Sequence, residues 1–240
     1  MVSATIRECN GVAVENTILL SIPDGEFEVL CPYLQPVEIP KHETLVDPEK
    51  PLRAVYFLNR GLASLVIPTS DGRSVEVGLV ERTGVVGSTL AYGVDRTLRG
   101  AIAQVDAAGF RIRAEPFQSA LRQGPSLSRA VDQNLVYQIM MCSQTAACNR
   151  LHELEQRLAR WLLMASDQVG TEFEITQEYL SQMLGTSRAT VSIAASGFQR
   201  SGVITYTRGA VRVLDRAKLE KLSCECYANV RRFGRNIGIS

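Results

Sequence analysis

The chain has 240 residues, 45% of them hydrophobic, which is enough to bury a sizeable core in one large domain or two modest ones. Its net charge of +1 hides an asymmetry: from Thr176 onward there are 10 Lys and Arg against 4 Asp and Glu, while the rest carries 16 against 21. A basic C-terminal segment on a mildly acidic body is typical of a polyanion-binding tail. The alternative is a chance cluster of arginines on a solvated face.

The sequence offers no segment that predicts a membrane span or export. No run of about eighteen apolar residues occurs, and the N-terminus lacks the basic and then apolar plan of a secretion signal. We therefore expect a cytoplasmic protein with no membrane partner.

Cysteines are spread along the chain without any paired C-x-x-C unit. This favours reduced thiols over a disulfide framework or a structural zinc site, with a redox or iron–sulfur sensor as the alternative. Cys224 and Cys226 could bind metal or sense an oxidant if another pair of ligands came close, but the simpler interpretation is two ordinary residues of the last helix. No metal site is predicted. The six cysteines are Cys9, Cys31, Cys142, Cys148, Cys224 and Cys226.

Short apolar runs separated by turn residues fill the segment from Thr17 to about Arg113. Asp71-Gly72 between two such runs predicts a hairpin, because glycine tolerates the positive φ of tight hairpin turns. Many short strands at close spacing favour a β-sandwich or a jelly-roll barrel, whose interior can hold a small molecule or be filled by side chains. Predicted strands are Val55–Leu58, Leu62–Ile67 and Val75–Val80, followed by runs in "GAIAQVDA" and "AGFRIRA".

The pattern becomes helical between Ser126 and Ser166, where proline and glycine are absent. Apolar residues recur there at spacings of three and four, which predicts a long helix, a bend near Cys148-Asn149-Arg150, and a second helix. The long helix is either a coiled-coil dimer seam or a helix that packs on its own barrel. The recurring residues are Leu127, Val131, Leu135, Ile139 and Cys142, then Leu151, Leu154, Leu158, Trp161 and Leu162.

Two helices joined by a sharp turn are predicted after Gly170. Thr176 can cap the first helix, Gly185 makes the turn, and Thr186 or Ser187 caps the second. Such a pair is the helix-turn-helix geometry, in which the second helix enters the major groove of DNA. The alternative is a plain pair of helices in a bundle.

The second helix has two chemically different faces. Its N-terminus offers unsatisfied N–H groups to phosphate, and Arg188 can bond two acceptors on a guanine edge, a contact worth roughly 1–3 kcal/mol of discrimination. The apolar stripe holds Val191, Ala194, Ala195 and Phe198, and the polar one Arg188, Ser192, Ser196 and Gln199.

A hairpin over Val203–Leu214, turning at Thr207-Arg208-Gly209-Ala210, is predicted to be a wing beside these helices. Arg208 at its tip could meet the DNA backbone. Nearby positive charge would supply sequence-independent affinity. It comes from Arg200, Arg212, Arg216 and Lys218.

The C-terminal third resembles the winged helix-turn-helix of the CRP/FNR superfamily of bacterial transcription regulators. The stretches "ITQEYLSQMLGTSRATVS" and "GVITYTRGAVRVLD" carry the resemblance, and "RLHELEQRLARWLLMASDQV" is similar to the hinge that enters that domain. The resemblance implies an α+β protein: a sensory jelly-roll β-barrel over residues 1–125, a long dimerisation helix over 126–152 and a winged helix-turn-helix domain over 153–240. It also implies a homodimer on palindromic double-stranded DNA, with RNA polymerase as a candidate partner.

The DNA contacts carry over from the family only in part. The family's Ser-Arg at the start of the recognition helix is Ser187-Arg188, but Ala189 replaces an acidic residue and Ile193 a second basic one. Both residues could contact thymine methyl groups instead, or make no contribution to recognition. The expected DNA-binding residues are Thr176, Thr186, Ser187, Arg188, Ala189, Thr190, Ser192, Ile193 and Arg208.

The expected effector pocket departs further from the family. Members that bind cyclic AMP have a glutamate in a "GE" turn and an arginine in an "RS" pair, where this chain has Gly87-Ser88-Thr89 and Arg99-Gly100. These differences argue against cyclic AMP, although Arg99 could hold an anion or be an ordinary surface arginine. On the long helix, Cys142 and Ser143 take the positions of the hydroxyls that close the family's pocket.

Neither of the family's other cofactors is supported. The iron–sulfur branch has a cysteine cluster ahead of the barrel, where this chain has only Cys9, and haem would need axial ligands, for which only His42 and His152 exist. No cofactor is therefore assigned.

A DNA-binding regulator with an unidentified or absent effector is the leading hypothesis. An enzyme with Cys142 and His152 as nucleophile and base is disfavoured, because ten helical residues separate them by about 15 Å. The remaining alternative is a cyclic-nucleotide or redox-sensing regulatory protein that does not act through DNA, and that has no use for a basic wing.

Overall fold

A computed structural model describes residues 7–207 and 209–239. They form two compact units, one of residues 7–63 and 80–136 and the other of residues 64–79 and 137–239. Strands dominate the N-terminal part, a long helix follows, and a helix-turn-helix lies in the C-terminal part. The predicted α+β class is confirmed.

The N-terminal half contains every strand expected from the apolar runs. Strands β5, β6 and β7 cover the three strands predicted around the Asp71-Gly72 turn. In chain order the elements are β1 (Glu8–Cys9), β2 (Val12–Ala13), α1 (Thr17–Ser21), α2 (Asp24–Leu30), a 3-10 turn (Cys31–Tyr33), β3 (Gln35–Ile39), β4 (Thr44–Val46), β5 (Ala54–Arg60), β6 (Ala63–Pro68), β7 (Ser74–Val80), β8 (Val85–Val86), a 3-10 turn (Ser88–Tyr92), β9 (Gly100–Ala103), β10 (Ala107–Arg113) and α3 (Ala114–Gln123).

The first unit is built on an antiparallel sheet in the order β3-β10-β5-β8, and β4 pairs with β9. Phe57 and Phe117 are fully buried and meet edge to face, with ring centroids 6.2 Å apart. At the bulge in β10 the backbones of β5 and β10 approach so closely that a Cβ on Gly109 would lie 2.1 Å from the carbonyl oxygen of Phe57. Only glycine fits there without moving a strand.

Cys9 and Cys31 form a disulfide, with Cα atoms 5.8 Å apart. The expectation that all six cysteines are reduced is wrong for this pair. The hairpin of β1 and β2 brings Cys9 to the end of α2, and Asn10 Nδ2 holds it there by donating to the carbonyl oxygen of Leu34 at 2.6 Å. The sequence separation of 22 residues gave no local signal for this pairing.

Helices and one small sheet make up the C-terminal half. The long helix α4 ends and α5 begins within a few residues of the predicted bend, and α5 starts at a capping box of Glu153 and Gln156. Sheet order is β11-β13-β12, all antiparallel. The elements are α4 (Pro125–Leu151), α5 (Leu154–Val169), β11 (Glu172–Glu174), α6 (Gln177–Met183), α7 (Arg188–Arg200), β12 (Ile204–Thr207), β13 (Ala210–Val213), α8 (Arg216–Leu222) and α9 (Cys226–Asn236).

Among the residues that the structure describes, no helix is both long enough and apolar enough to cross a bilayer. The long helix α4 fails on composition, because polar side chains recur along its whole length.

A buried carboxyl group lies at the centre of the second unit. Glu76 on β7 is 7% exposed, accepts a hydrogen bond from Trp161 Nε1 at 3.1 Å, and accepts another from the hydroxyl of Ser64. Burial raises the pKa of Glu76 to about 7, and these hydrogen bonds with the charge of Arg160 offset only part of that effect. Glu76 is therefore a proton-binding group in the neutral pH range.

Replacing Glu76 with Gln should change how stability depends on pH. Below about pH 4.5 the Glu76 carboxyl is neutral in both states, and between 4.5 and 7 only the unfolded chain loses the proton. Its contribution to the free energy of unfolding therefore falls as pH rises over that window, by about 3 kcal/mol. Urea unfolding at pH 5 and at pH 8 measures this difference. From the lower to the higher pH, the free energy of unfolding of Glu76→Gln should rise relative to that of the wild type by about this amount. The exposed Glu115→Gln should track the wild type, and an equal gain there would contradict the assignment.

Candidate nucleic-acid interface

Helix α6 begins at a capping threonine, as the sequence predicted. Thr176 Oγ1 accepts a hydrogen bond from the backbone N–H of Tyr179 at 3.2 Å. The residues expected to point inward, Leu180, Met183 and Leu184, are all buried. The amphipathic pattern of this short helix thus fixes its inner face.

A four-residue turn joins α6 to α7. Gly185 takes φ of +59°, the left-handed conformation that favours glycine, and the N–H of Thr186 donates to the carbonyl oxygen of Ser181 at 2.9 Å. Ser187 Oγ then accepts from the N–H of Thr190 at 3.1 Å, so that α7 begins at Arg188. Of the two caps considered, Thr186 or Ser187, the structure selects Ser187.

Helix α7 presents a reading face and a core face. Its buried residues are those of the apolar stripe, Val191, Ala194, Ala195 and Phe198. Exposed positions begin in the first turn with Arg188, Ala189 and Thr190 and continue one turn later with Ile193, which is 69% exposed. Ser192 is half-buried at the edge between the faces.

The hairpin of β12 and β13 forms the predicted wing, with Thr207 opposite Ala210 at its tip. Arg208, the expected backbone contact, lies outside the described residues. Tyr206 anchors the hairpin: its hydroxyl donates to the carbonyl oxygen of Ile175 at 2.6 Å, and its N–H donates to Gln199 Oε1 at 2.9 Å. Burial raises the pKa of the Tyr206 phenol to about 12, against the opposing effect of the Arg188 charge. The wing is thus fixed to Ile175, the residue before the Thr176 cap of α6, and to the end of α7.

Several of the tail's basic residues form ion pairs with the protein itself. Arg212 pairs with Glu172 at 2.6 Å, and Arg216 and Arg231 both pair with Asp167, at 2.8 and 2.6 Å. Arg212 and Arg216 were both expected to add positive charge near the wing, and in the structure each is paired with a carboxylate. Glu172 and Asp167 precede Thr176 and so lie outside the basic segment, whereas Glu220, a second partner of Arg216 at 2.9 Å, lies within it.

Arg188 and Arg200 lie at the two ends of α7, and in the described part of the chain neither has an ion-pair partner. Arg188 lines a cavity of about 520 Å³ within the second unit. The turn between β6 and β7, through Thr69 and Arg73, forms one wall of this cavity, and Ser181 and Ser187 belong to the other. Among the described residues, helix α7 therefore carries one unpaired positive charge at its start, beside this cavity, and one at its end.

The expected effector residues are distributed over both units. Gly87 takes φ of +87° and starts the 3-10 turn in which Ser88 is buried. Thr89 Oγ1 is buried and has no hydrogen-bond partner within the described residues. Arg99 is half-buried and followed by buried Gly100, and the Arg99 N–H donates to Thr97 Oγ1 at 2.8 Å. In the second unit, Cys142 is half-buried and exposed Ser143 donates to the carbonyl oxygen of Ile139 at 2.9 Å.

A cavity of about 390 Å³ lies elsewhere in the first unit, and none of the expected effector residues lines it. Its walls come from the segment 44–54, from Tyr56 and from Arg111. Asp47, Lys50 and Arg53 make it strongly polar.

Residues 156–222 match the family described as the Crp-like helix-turn-helix domain. The transcriptional regulatory protein btr of Bordetella pertussis is 27% identical over 212 residues, which are 85% of this chain and 87% of that protein. The CRP-like cAMP-activated global transcriptional regulator of Mycobacterium tuberculosis is 20% identical over 212 residues, 85% of this chain and 95% of that protein.

The fold recurs in a solved structure of a CRP-family transcriptional regulator, TTHB099 of Thermus thermophilus. The TM-score is 0.64 at 24% identity, over 78% of this chain and 96% of that one. These relatives are transcription regulators and not enzymes. Residues 156–222 of this chain thus form a Crp-like helix-turn-helix domain, and the chain as a whole shares the fold of that regulator.

Proposed function

We propose that the protein is a sequence-specific regulator that binds a palindromic DNA site as a homodimer, with one α7 helix in the major groove of each half-site. The observation that carries this proposal is the first turn of α7, where Arg188, Ala189 and Thr190 are exposed directly after a turn fixed by Ser187. A helix presented in this way offers both side chains and free N–H groups to a groove.

Roles follow from the chemistry of each exposed side chain. Arg188 bonds a guanine edge through its two-pronged guanidinium group, and Ala189 and Ile193 contact thymine methyl groups. Thr190 and Ser192 offer hydroxyls to base edges at the margin of the face. Phosphate contacts come from Arg208 and from Thr176, Thr186 and Ser187.

The capping hydroxyls can hold the helices and bind phosphate at the same time. Thr176 Oγ1 and Ser187 Oγ each use an oxygen lone pair to accept a backbone N–H. Each hydroxyl also has a hydrogen to donate, and that of Ser187 is available when Thr190 Oγ1, 2.7 Å away, is the donor between these two hydroxyls. Binding phosphate through that hydrogen leaves the cap intact, so DNA would not compete with the fold for these side chains.

The long helix supplies the surface for dimerisation. Val136, Ile139 and Met140 are apolar, and each is 45–48% exposed on α4. Ser143 continues this exposed face one turn on. Apolar residues that recur every three or four positions on an exposed helix face are what a second copy of the same helix would cover.

The effector is an unidentified molecule other than cyclic AMP, or none is required. The relative from M. tuberculosis is named as cAMP-activated. Among the residues expected at the effector pocket of this chain, Arg99 matches the family's arginine, and no carboxylate is present. These residues are Gly87, Ser88, Thr89, Arg99, Gly100, Cys142 and Ser143. The unpartnered buried Thr89 Oγ1 favours a ligand with a hydrogen-bonding group at this turn.

The division into a sensory domain (1–125), a dimerisation helix (126–152) and a DNA-binding domain (153–240) belongs to the same proposal. So do the cytoplasmic location, where bacterial DNA is, and contact with RNA polymerase. A regulatory protein that does not act through DNA is the competing function, and the first experiment below distinguishes the two.

Selection of bound duplexes from a random pool by the purified, ligand-free protein should enrich a palindrome. Arg188→Ala should lose the enrichment and bind the selected site about 10- to 100-fold more weakly, because a bidentate guanine contact is worth roughly 1–3 kcal/mol. Arg122→Ala removes the same charge from an exposed position in α3 and should select the wild-type site. A wild-type protein that enriches nothing, with or without candidate effectors, would favour the competing function.

Affinity for the selected duplex should fall steeply with salt, because phosphate contacts release counterions. Removing the wing arginine by Arg208→Ala should weaken binding to all sequences about equally and should lower the slope of log affinity against log salt by about one per half-site. Fluorescence anisotropy between 50 and 300 mM salt measures this. A flat response in the wild type would rule out the backbone contacts.

A charge placed on the exposed face of α4 should separate the subunits. Sedimentation equilibrium should give a dimer for the wild type and a monomer for Ile139→Glu, which should also lose its affinity for the palindrome. Leu98→Glu changes an 85% exposed residue away from α4 and should remain dimeric. A monomeric wild type at micromolar concentration would contradict the proposed seam.

A further inference from the structure

Four potential metal ligands converge inside the second unit, where the sequence analysis assigned none. They are Cys148, His152, Cys224 and Cys226, and their ligand atoms all lie within 4.8 Å of one another. Cys148 Sγ is 3.5 Å from Cys224 Sγ, and Cys226 Sγ is 3.5 Å from His152 Nδ1. The three cysteines are buried, at 0–3% exposure. This group is called the Cys3His cluster below.

Two local geometries bring the cluster together. Cys148 lies in the last turn of α4, and His152, four residues later, directly follows the helix. The N–H of His152 donates to the carbonyl oxygen of Cys148 at 3.1 Å, so both side chains project from the same side of one helical turn. Cys224 lies in the link after α8, and Cys226 is the first residue of α9. The N-terminus of α9, the positive end of its dipole, therefore lies at the cluster.

The spacing fits one tetrahedral ion. Zinc binds sulfur at about 2.3 Å and imidazole nitrogen at about 2.0–2.1 Å, which makes the edges of its tetrahedron about 3.5–3.8 Å long. The two contacts of 3.5 Å match such edges. A cluster of several irons holds its cysteine sulfurs farther apart than one ion does. Three thiolates and one imidazole form one of the common structural zinc sets.

The surroundings also suit a metal. His152 Nε2, the ring nitrogen that points away from the cysteines, is 3.2 Å from Glu225 Oε1, the carboxylate contact that orients a metal-bound histidine. Gln144 Nε2 donates to Cys226 Sγ at 3.0 Å. Zinc with three thiolates carries a net charge of −1, and the buried guanidinium of Arg160 interacts with Cys148.

We propose that the Cys3His cluster binds one zinc ion per chain and thereby ties the junction between α4 and α5 to the C-terminal helices. The junction is only two residues long, and His152 is one of them. With zinc bound, the end of α4 and the start of α9 are cross-linked through the metal. Since α5 packs on both α8 and α9, the cross-link also supports the platform on which the helix-turn-helix is built.

The test is the zinc content of the full-length protein, purified in reducing buffer without chelator and measured by mass spectrometry of the metal. The wild type should contain one zinc per chain, and Cys224→Ser and His152→Ala should each lose at least nine-tenths of it. Cys142→Ser removes the remaining cysteine of α4 and should keep its zinc. Circular dichroism of each variant checks that the fold persists.

Cobalt substitution tests the site in the wild-type protein, so its result does not depend on whether the variants fold. Cobalt added to the demetallated wild type should produce the intense visible bands of a tetrahedral site and the near-ultraviolet charge transfer of thiolate ligands, and an equimolar amount of zinc should abolish both. Removing zinc with a chelator should also lower the melting temperature. Metal-free protein that shows no cobalt spectrum, or a Cys148–Cys224 disulfide recovered from the purified protein, would overturn the proposal.

Discussion

The four-residue turn between α6 and α7 is the constraint on which the reading face depends. Since the chain leaves one helix and enters the next within so few residues, the direction of α7 follows from the conformation of the turn and from what holds it. Gly185 supplies the left-handed backbone, and Arg157 on α5 donates from its guanidinium to the carbonyl oxygen of Leu184. The turn is thus fixed to α5 as well as to its own two helices.

Arg157 pays a desolvation cost for this role, because it is half-buried and burial lowers the pKa of its guanidinium. Its Nε has no hydrogen-bond partner within the described residues. The Nε of Arg160, one helical turn further on, also has none there. Two cations at the centre of one unit are costly unless negative charge lies near. Glu76 at neutral pH and the thiolate of Cys148, whose pKa is lowered by its hydrogen bond with Cys224, are groups that can supply it. Charge balance therefore links the stability of the unit to protonation and to metal binding.

Local patterns in the sequence were enough to predict much of the local structure, although the segment predicted to hold strands from Thr17 onward begins with the helices α1 and α2. The buried stripe of α7, the cap at Thr176 and the wing strands all follow from patterns within a dozen residues, and the structure agrees with each of them. The features that could not be predicted are those that depend on residues far apart in the chain. Glu76 alternates with Val75 and Val77 as a solvent-facing strand residue would, whereas in the structure it is buried against Ser64 and against Trp161, which lies 85 positions later. The Cys3His cluster joins residues 76 positions apart. No local pattern in the sequence therefore indicates that Cys224 and Cys226 meet Cys148 and His152.

The exposed isoleucine on the reading face has a consequence for the DNA itself. Ile193 has no group that can donate or accept a hydrogen bond, so in the proposed groove it can only recognise shape, through the methyl group on the C5 carbon of thymine. Cytosine methylated at C5 presents that methyl group at the same place in the major groove. If cytosine takes the place of thymine at an operator position read by Ile193, binding would thus respond to whether that cytosine is methylated. A covalent mark on the DNA would then be an input to this regulator.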